Sequence, residues 1–298
     1  MIKKLIFLAV LPSAILLAGC NKNVTVSETT PEFITISTDI ATKVTTAEDG
    51  SQTFAKGDEI SVYAWVGTPN TVPVAGERVV NNAINTLGAD GKWTAVPQML
   101  WKNLKDKHYF IGVYPADKAA ETDLTKVVCS VDPAKQTESD ILVATELDGK
   151  IAENNPVILT FDHVMSKVIV ELSFRNQWGG DKPEVSAVEL KNVATEGTLN
   201  YLTKAITPSE TRNVMEIPEI TENTKYTSVI LPQTGINTVV VRIDGRDFVY
   251  TGSADFEFTR GKYTTIRLVV GRNQIDLGDV KINDWDNGAE IEGGEAVD

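Results

Sequence analysis

The chain has 298 residues, 42% of them apolar, which is enough for sizeable cores in about two domains of ordinary size. Its net charge of −13 repels phosphate backbones and argues against nucleic acid as a partner. With only two cysteines and two histidines, there is little material for a disulfide framework or a histidine-rich metal site.

The N-terminus opens on Lys3 and Lys4. An apolar run from Leu5 to Leu17 follows, interrupted only by Pro12 and Ser13, and then Ala18, Gly19 and Cys20. A basic start, an apolar middle and small residues at the end are the layout of a secretory signal peptide. An apolar run of about 13 residues is too short to span a bilayer, which needs about 20. The two small residues before Cys20 look like the lipobox of bacterial lipoproteins, in which the signal is cut before the cysteine and the thiol carries lipid. Residues 1–19 are therefore expected to be removed. Residues 20–32, polar and without periodicity, are expected to be a lipid-anchored spacer. With Cys20 taken by lipid, Cys129 has no disulfide partner; its strand-like surroundings, Val127 to Val131, suit a buried small apolar residue.

Strand signals begin at Phe33. From there to Ile40 the pattern alternates, with Ile34 and Ile36 on one side of a half-buried strand. Lys43 stands among small and polar residues, where a trypsin-like protease can reach it. Lys56-Gly57-Asp58 is a turn into a strand with Ile60, Val62, Ala64 and Val66 on one face. Ala89-Asp90-Gly91 is a hairpin signal. Tyr109 to Tyr114 and Ile141 to Ala144 read as further strands. Asn154-Asn155-Pro156 breaks the chain. Leu159 to Phe174 is the longest strand signal, with Val164, Val168, Val170, Leu172 and Phe174 on one face. Gln177 to Lys182 is a turn. Val185 to Val193, Val229 to Pro232, Val239 to Tyr250 and Tyr263 to Val270 follow as strands. At Asp244-Gly245 a two-residue hairpin loop pairs Val241 with Phe248, Val239 with Tyr250 and Arg242 with Asp247. No stretch longer than about two turns has helical periodicity, so the fold class is all-β, built as sandwiches. The expected division is 33–155 and 156–298.

Residues arranged for chemistry are scarce. His108 and His163 fall in different expected domains, and His163 reads as a surface or domain-junction residue. No zinc-protease, nucleophile-elbow, P-loop or dinucleotide-binding motif occurs. Asp284 to Gly288 is suggestive of a calcium loop. With Gly288 at the invariant glycine position, however, Trp285 and Gly294 stand where carboxylates are needed. No catalytic residue, metal site or cofactor is assigned, and the chain does not read as an enzyme. Trp178, in the turn after Asn176, is the best candidate for an exposed aromatic, with local packing as its competing role.

Five stretches taken together carry a resemblance. They are the lipobox; Phe54 to Trp65 with its Gly57-Asp58-Glu59-Ile60 turn; Ser139 to Ala144; Leu159 to Val168, reading LTFDHVMSKV; and Ile282-Asn283-Asp284-Trp285 followed by Gly288 and Gly293-Gly294. In this order they resemble the fimbrillin family of Bacteroidales surface lipoproteins, which includes subunits of type V pili. The resemblance implies two tandem transthyretin-like (Greek-key) β-sandwich domains and a structural or adhesive role in fimbriae on the outer membrane. It implies partners among other fimbrial subunits, joined by β-strand exchange, and no catalysis. Phe33 to Ile40 would be the removable strand and Lys43-Val44 the processing site, although the family's pilins commonly have arginine where this chain has Lys43. The competing reading is an outer-membrane lipoprotein that binds a ligand or glycan and does not polymerise.

Overall fold

The computed structural model describes residues 32–40, 54–120, 122–178 and 182–285. The largest sheet has seven strands in the spatial order β1 (Ile36–Ile40), β8 (Val157–His163), β7 (Leu142–Lys150), β5 (His108–Tyr114), β2 (Glu59–Val66), β3 (Val80–Leu87) and β4 (Trp93–Val96). A three-stranded sheet holds β12 (Ala205–Pro208), β11 (Glu196–Asn200) and β6 (Val127–Ser130). A four-stranded sheet runs β13 (Asn213–Glu216), β10 (Val185–Val193), β16 (Thr238–Ile243) and β17 (Arg246–Thr251). A five-stranded sheet runs β14 (Glu219–Thr221), β15 (Lys225–Ile230), β9 (Ser166–Phe174), β18 (Lys262–Val270) and β19 (Ile275–Asp284). The one α-helix among the described residues is a single turn, α1 (Gln136–Ser139). The all-β expectation therefore holds.

The four- and five-stranded sheets pack face to face as a sandwich. Its core includes Val168, Val170, Leu172, Val188, Leu190, Val239, Val241, Ile266 and Leu268. Alternate residues of β9, β10, β16 and β18 point inward, as period-two burial requires. The hairpin at Asp244-Gly245 has the expected register in full: Val241 faces Phe248, Val239 faces Tyr250 and Arg242 faces Asp247. Both loop residues have positive φ, 51° and 73°, the backbone that lets a two-residue loop follow the strand twist.

The central strands of the seven-stranded sheet, β2 and β5, are buried on both faces, which the sequence pattern of β2 does not announce. Ile60, Val62 and Ala64 enter one core with Phe110, Leu142 and Phe161. Tyr63 and Trp65, on the opposite face, enter another with Ile111, Val143, Cys129 and Leu199. Expecting one buried face on β2 misses the second, because aromatic residues fit a buried or a half-exposed strand equally well.

Two expectations about the middle of the chain need correction. Leu159 to Phe174 is two strands rather than one, with Val164 and Met165 between β8 and β9. Val164 accordingly joins the core beneath β2, while Val168, Val170 and Leu172 join the sandwich core. The division expected at 155/156 falls between β7 and β8, which pair as neighbours in the seven-stranded sheet. The chain changes sheet at Val164-Met165 instead. It also crosses back: β11, from the second half, pairs with β6 from the first, with Gly197 opposite Cys129. The second-face core of the large sheet takes Val229, Leu231 and Trp285 from the sandwich side. The two halves therefore share a buried interface as well as a linker.

Candidate functional site

β1 is short, lies at an edge, and owes its place to residues far away in sequence. It runs parallel to β8, with Ile36 opposite Val157 and Ile40 opposite Phe161. Just before it, Phe33 forms an antiparallel bridge with Leu100. Ile34 N–H donates to Met99 O over 3.0 Å, and Trp101 N–H donates to Glu32 O over 3.2 Å. Residues 32–40 therefore engage the chain just past β4 and then β8, which belong to opposite ends of the seven-strand order. The indole Nε1–H of Trp93 in β4 donates to Thr38 Oγ1 in β1 over 3.0 Å. The sheet curls until its ends meet, and residues 32–40 fill the seam.

The side chains follow the expected alternation. Ile34 and Ile36 are 2% and 6% exposed, packed among Met99, Trp101, Val157, Leu159 and Phe161, whereas Phe33 is 43% exposed. Burying an isoleucine contributes about 1.5–3 kcal/mol, so this short segment completes a core out of proportion to its length.

Asn155 supplies a second anchor. Its Oδ1 accepts from Thr35 N–H over 2.9 Å, and its Nδ2 donates to Phe33 O over 3.0 Å. The amide thus reproduces with a side chain the donor-and-acceptor pair that a neighbouring strand would offer. Val157 N–H then donates to Thr35 O over 2.8 Å and passes the segment on to β8. Asn154-Asn155-Pro156 reads in sequence as a chain break, and nothing in its composition points to Phe33. Beyond residues 41–53, the chain is pinned again at Phe54. Its ring packs edge-on, at centroid distances of 5.3 Å, against Trp93, Tyr114 and Phe161.

The sequence-derived site residues fall as follows. Cys20, Lys43 and Val44 lie outside the described residues. Trp178 is half-buried: its Nε1–H donates to Val270 O over 3.1 Å, and its ring packs against Phe174 and Phe248. His163 is a junction residue and is buried, so the surface alternative is corrected. Its Nδ1 lies 2.9 Å from Asp140 Oδ1, and its ring stacks on Trp285 at 4.3 Å and 7°. These contacts draw the end of β8 and the end of β19 into one cluster. His108 is also fully buried. Nε2 accepts from Lys102 N–H over 3.0 Å while Nδ1 faces Asp106 O at 2.8 Å, an arrangement that suits the neutral ring with its proton on Nδ1. Burial holds its pKa below the usual histidine value. Cys129 is buried, and desolvation pushes its thiol up to about 11. It packs as an apolar residue, and the thiolate that a reactive cysteine needs is disfavoured. Among the described residues no group of three or more histidine, cysteine or acidic side chains is placed to hold a metal ion. No helix among them is long and apolar enough to cross a membrane.

A protein-family model described as Fimbrillin-like matches residues 42–285. No curated protein matches the chain significantly. Solved structures share its fold at low identity. A candidate cell-adhesion protein from Bacteroides uniformis superposes with a TM-score of 0.66 at 18% identity, covering 86% of this chain and 99% of its own. One from Bacteroides ovatus gives 0.64 at 18% identity, covering 85% and 98%. A fimbrial protein from Bacteroides vulgatus gives 0.53 at 13% identity, covering 84% and 99%.

Proposed function

The chain belongs to the fimbrillin-like family, and on that premise we propose that it is a cell-surface structural or adhesive subunit of fimbriae, assembled by exchange of β1 for a strand from another subunit. What supports this reading is where residues 32–40 sit in the fold. They lie at the sheet edge and seal a seam, and two of their isoleucines complete a core built from residues 54 onward. The family match begins at residue 42, just past β1. Removing the segment would leave unpaired backbone on β8 and on 99–101, together with an apolar slot the width of two isoleucines. A strand of another subunit with the same alternation would satisfy both at once.

In this reading Cys20 carries lipid and holds the precursor on the outer membrane, and cutting at Lys43-Val44 frees β1 together with its anchor. The cut would fall between two fixed points, β1 and Phe54, and leave the rest of the fold held. Without that cut, the same chain would remain lipid-anchored and act as the base of an assembly. The role is non-enzymatic, as befits the family. Mass spectrometry of the N-terminus of the protein taken from cells tests the anchoring and processing. Acylated Cys20 in the precursor and a free start at Val44 in the assembled form are expected. An unmodified Cys20, or a mature start inside β1, would overturn this scheme.

A further inference from the structure

Away from β1, the sandwich carries a cleft of about 540 Å³ whose charge is opposite to that of the chain. It is lined by Trp178, Lys182, Arg246, Phe248 and Arg272, and by one acid, Asp244, so cations outnumber carboxylates three to one. In a chain of net charge −13, where acids outnumber lysine and arginine 41 to 28, three cations around one cavity stand out. Most cations nearby are neutralised. Arg175 pairs with Asp276, Lys191 with Glu189, Arg242 with Asp247 and Glu189, and Arg267 with Glu171 and Asp279. Lys182, Arg246 and Arg272 have no carboxylate partner within 4.0 Å among the described residues.

The cleft is also held in shape. The Arg246 guanidinium lies 5.3 Å from the ring centroid of Phe248, a cation–π contact that orients its donors. Arg272 N–H donates to Gln177 Oε1 over 2.9 Å and Trp178 Nε1–H to Val270 O over 3.1 Å, so two hydrogen bonds tie the turn at 176–178 to the turn at 270–274. The bond from Arg272 is made by its backbone amide, so it places the residue and leaves the exposed guanidinium free to reach a ligand; an arginine fork suits a planar carboxylate. Trp178 adds an apolar wall, and the volume lies in the range of small-molecule sites.

We propose that this cleft binds a carboxylate-bearing saccharide, with Arg246, Arg272 and Lys182 on the carboxylate and Trp178 beside the sugar ring. The overall charge narrows the ligand further. The attraction of three cations is screened over about 8–10 Å at physiological salt, beyond which the acidic surface repels. A polyanion laid across the protein would meet that repulsion, whereas a single acidic sugar in an otherwise neutral chain would not. The site is independent of strand exchange and leaves β1 untouched.

The test uses residues 20–298 carrying Cys20→Ser and isothermal titration with four probes. They are a uronate-terminated trisaccharide, the same trisaccharide with a neutral terminal sugar, inorganic sulfate and a glutamate-rich peptide. The uronate probe is expected to bind about tenfold or more tightly than each of the others. Arg246→Gln and Arg272→Gln should each weaken it about tenfold without moving the melting temperature. Trp178→Phe should weaken the saccharide and leave sulfate unchanged. Equal binding of sulfate or of the acidic peptide, no binding of the uronate probe at millimolar concentration, or unchanged binding by both folded arginine variants would each overturn the proposal.

Discussion

The Trp93 indole donates to the Thr38 hydroxyl across 3.0 Å, and this bond joins the two edge strands of the seven-stranded sheet. Trp93 is nearly buried, so its N–H has little water to turn to when Thr38 is lost. Thr38→Val keeps the shape and removes the acceptor. It should cost about 1–3 kcal/mol, the penalty of an unmade bond to a buried donor. Urea unfolding followed by tryptophan fluorescence measures this, with the midpoint falling and the slope unchanged.

Asn155 holds Phe33 and Thr35 by its side-chain amide alone, so its replacement should loosen β1 and little else. In Asn155→Asp, an oxygen would face the Phe33 carbonyl where Nδ2 now donates. Hydrogen exchange read by mass spectrometry should quicken in residues 32–40 in both Asn155→Ala and Asn155→Asp, more in the latter. The hairpin of β16 and β17 should keep its protection. Equal acceleration in both regions would indicate global destabilisation rather than a local clasp.

Gly112 lies in β5, two strands from β8 in the same sheet, where the side chains of Phe161 and Leu159 reach over it. A methyl group there would sit 2.7 Å from Phe161 Cζ and 3.0 Å from Leu159 Cδ1. Gly112→Ala is therefore expected to destabilise by about 1–3 kcal/mol through overpacking, although alanine suits a strand better than glycine does. Thermal unfolding should show a fall of several degrees, and Phe161→Leu in the same chain should recover part of it.

His108 links stability to pH. Its folded-state pKa is depressed by burial, while the unfolded chain titrates near the ordinary value of about 6.5. Between the two, the unfolded state binds more protons, so stability rises with pH there. The contribution is fully present above about pH 6.5 and is lost as the pH falls through the folded-state value. Protonating Nε2 would also turn it from an acceptor into a donor facing Lys102 N–H. Unfolding free energies measured from pH 8 down to pH 5 should decline, and His108→Gln should flatten the slope. An equal slope in the variant would assign the effect to other groups.

Features were legible in the sequence where they are local. The Asp244-Gly245 hairpin was readable to the residue because turn chemistry and period-two pattern sit within a dozen positions. The burial of Ile34 and Ile36 was readable from alternation. Their partners were not: β1 pairs with β8 more than a hundred residues on, and parallel pairing leaves no turn signature. Asn155 reads as a loop residue because Asn before Pro is a turn signal, and its grip on Phe33 exists only in the fold. Lys182, Arg246 and Arg272 are spread over ninety positions among a majority of acids, so no charge run marks their meeting. The break at Val164-Met165 is hidden because both residues are apolar and continue the pattern of the strands on either side.

Strand replacement at the β1 seam is tested most directly by a chain that begins at Val44, shown to be folded by its circular dichroism, titrated with a synthetic peptide of residues 32–40. The peptide is expected to bind one to one, to restore the stability of the uncut chain, and to lose binding when Ile34 and Ile36 are both replaced by aspartate. Without peptide, the same chain should form oligomers that survive electrophoresis without boiling. A folded chain from Val44 that neither binds the peptide nor associates with itself would contradict the exchange of β1.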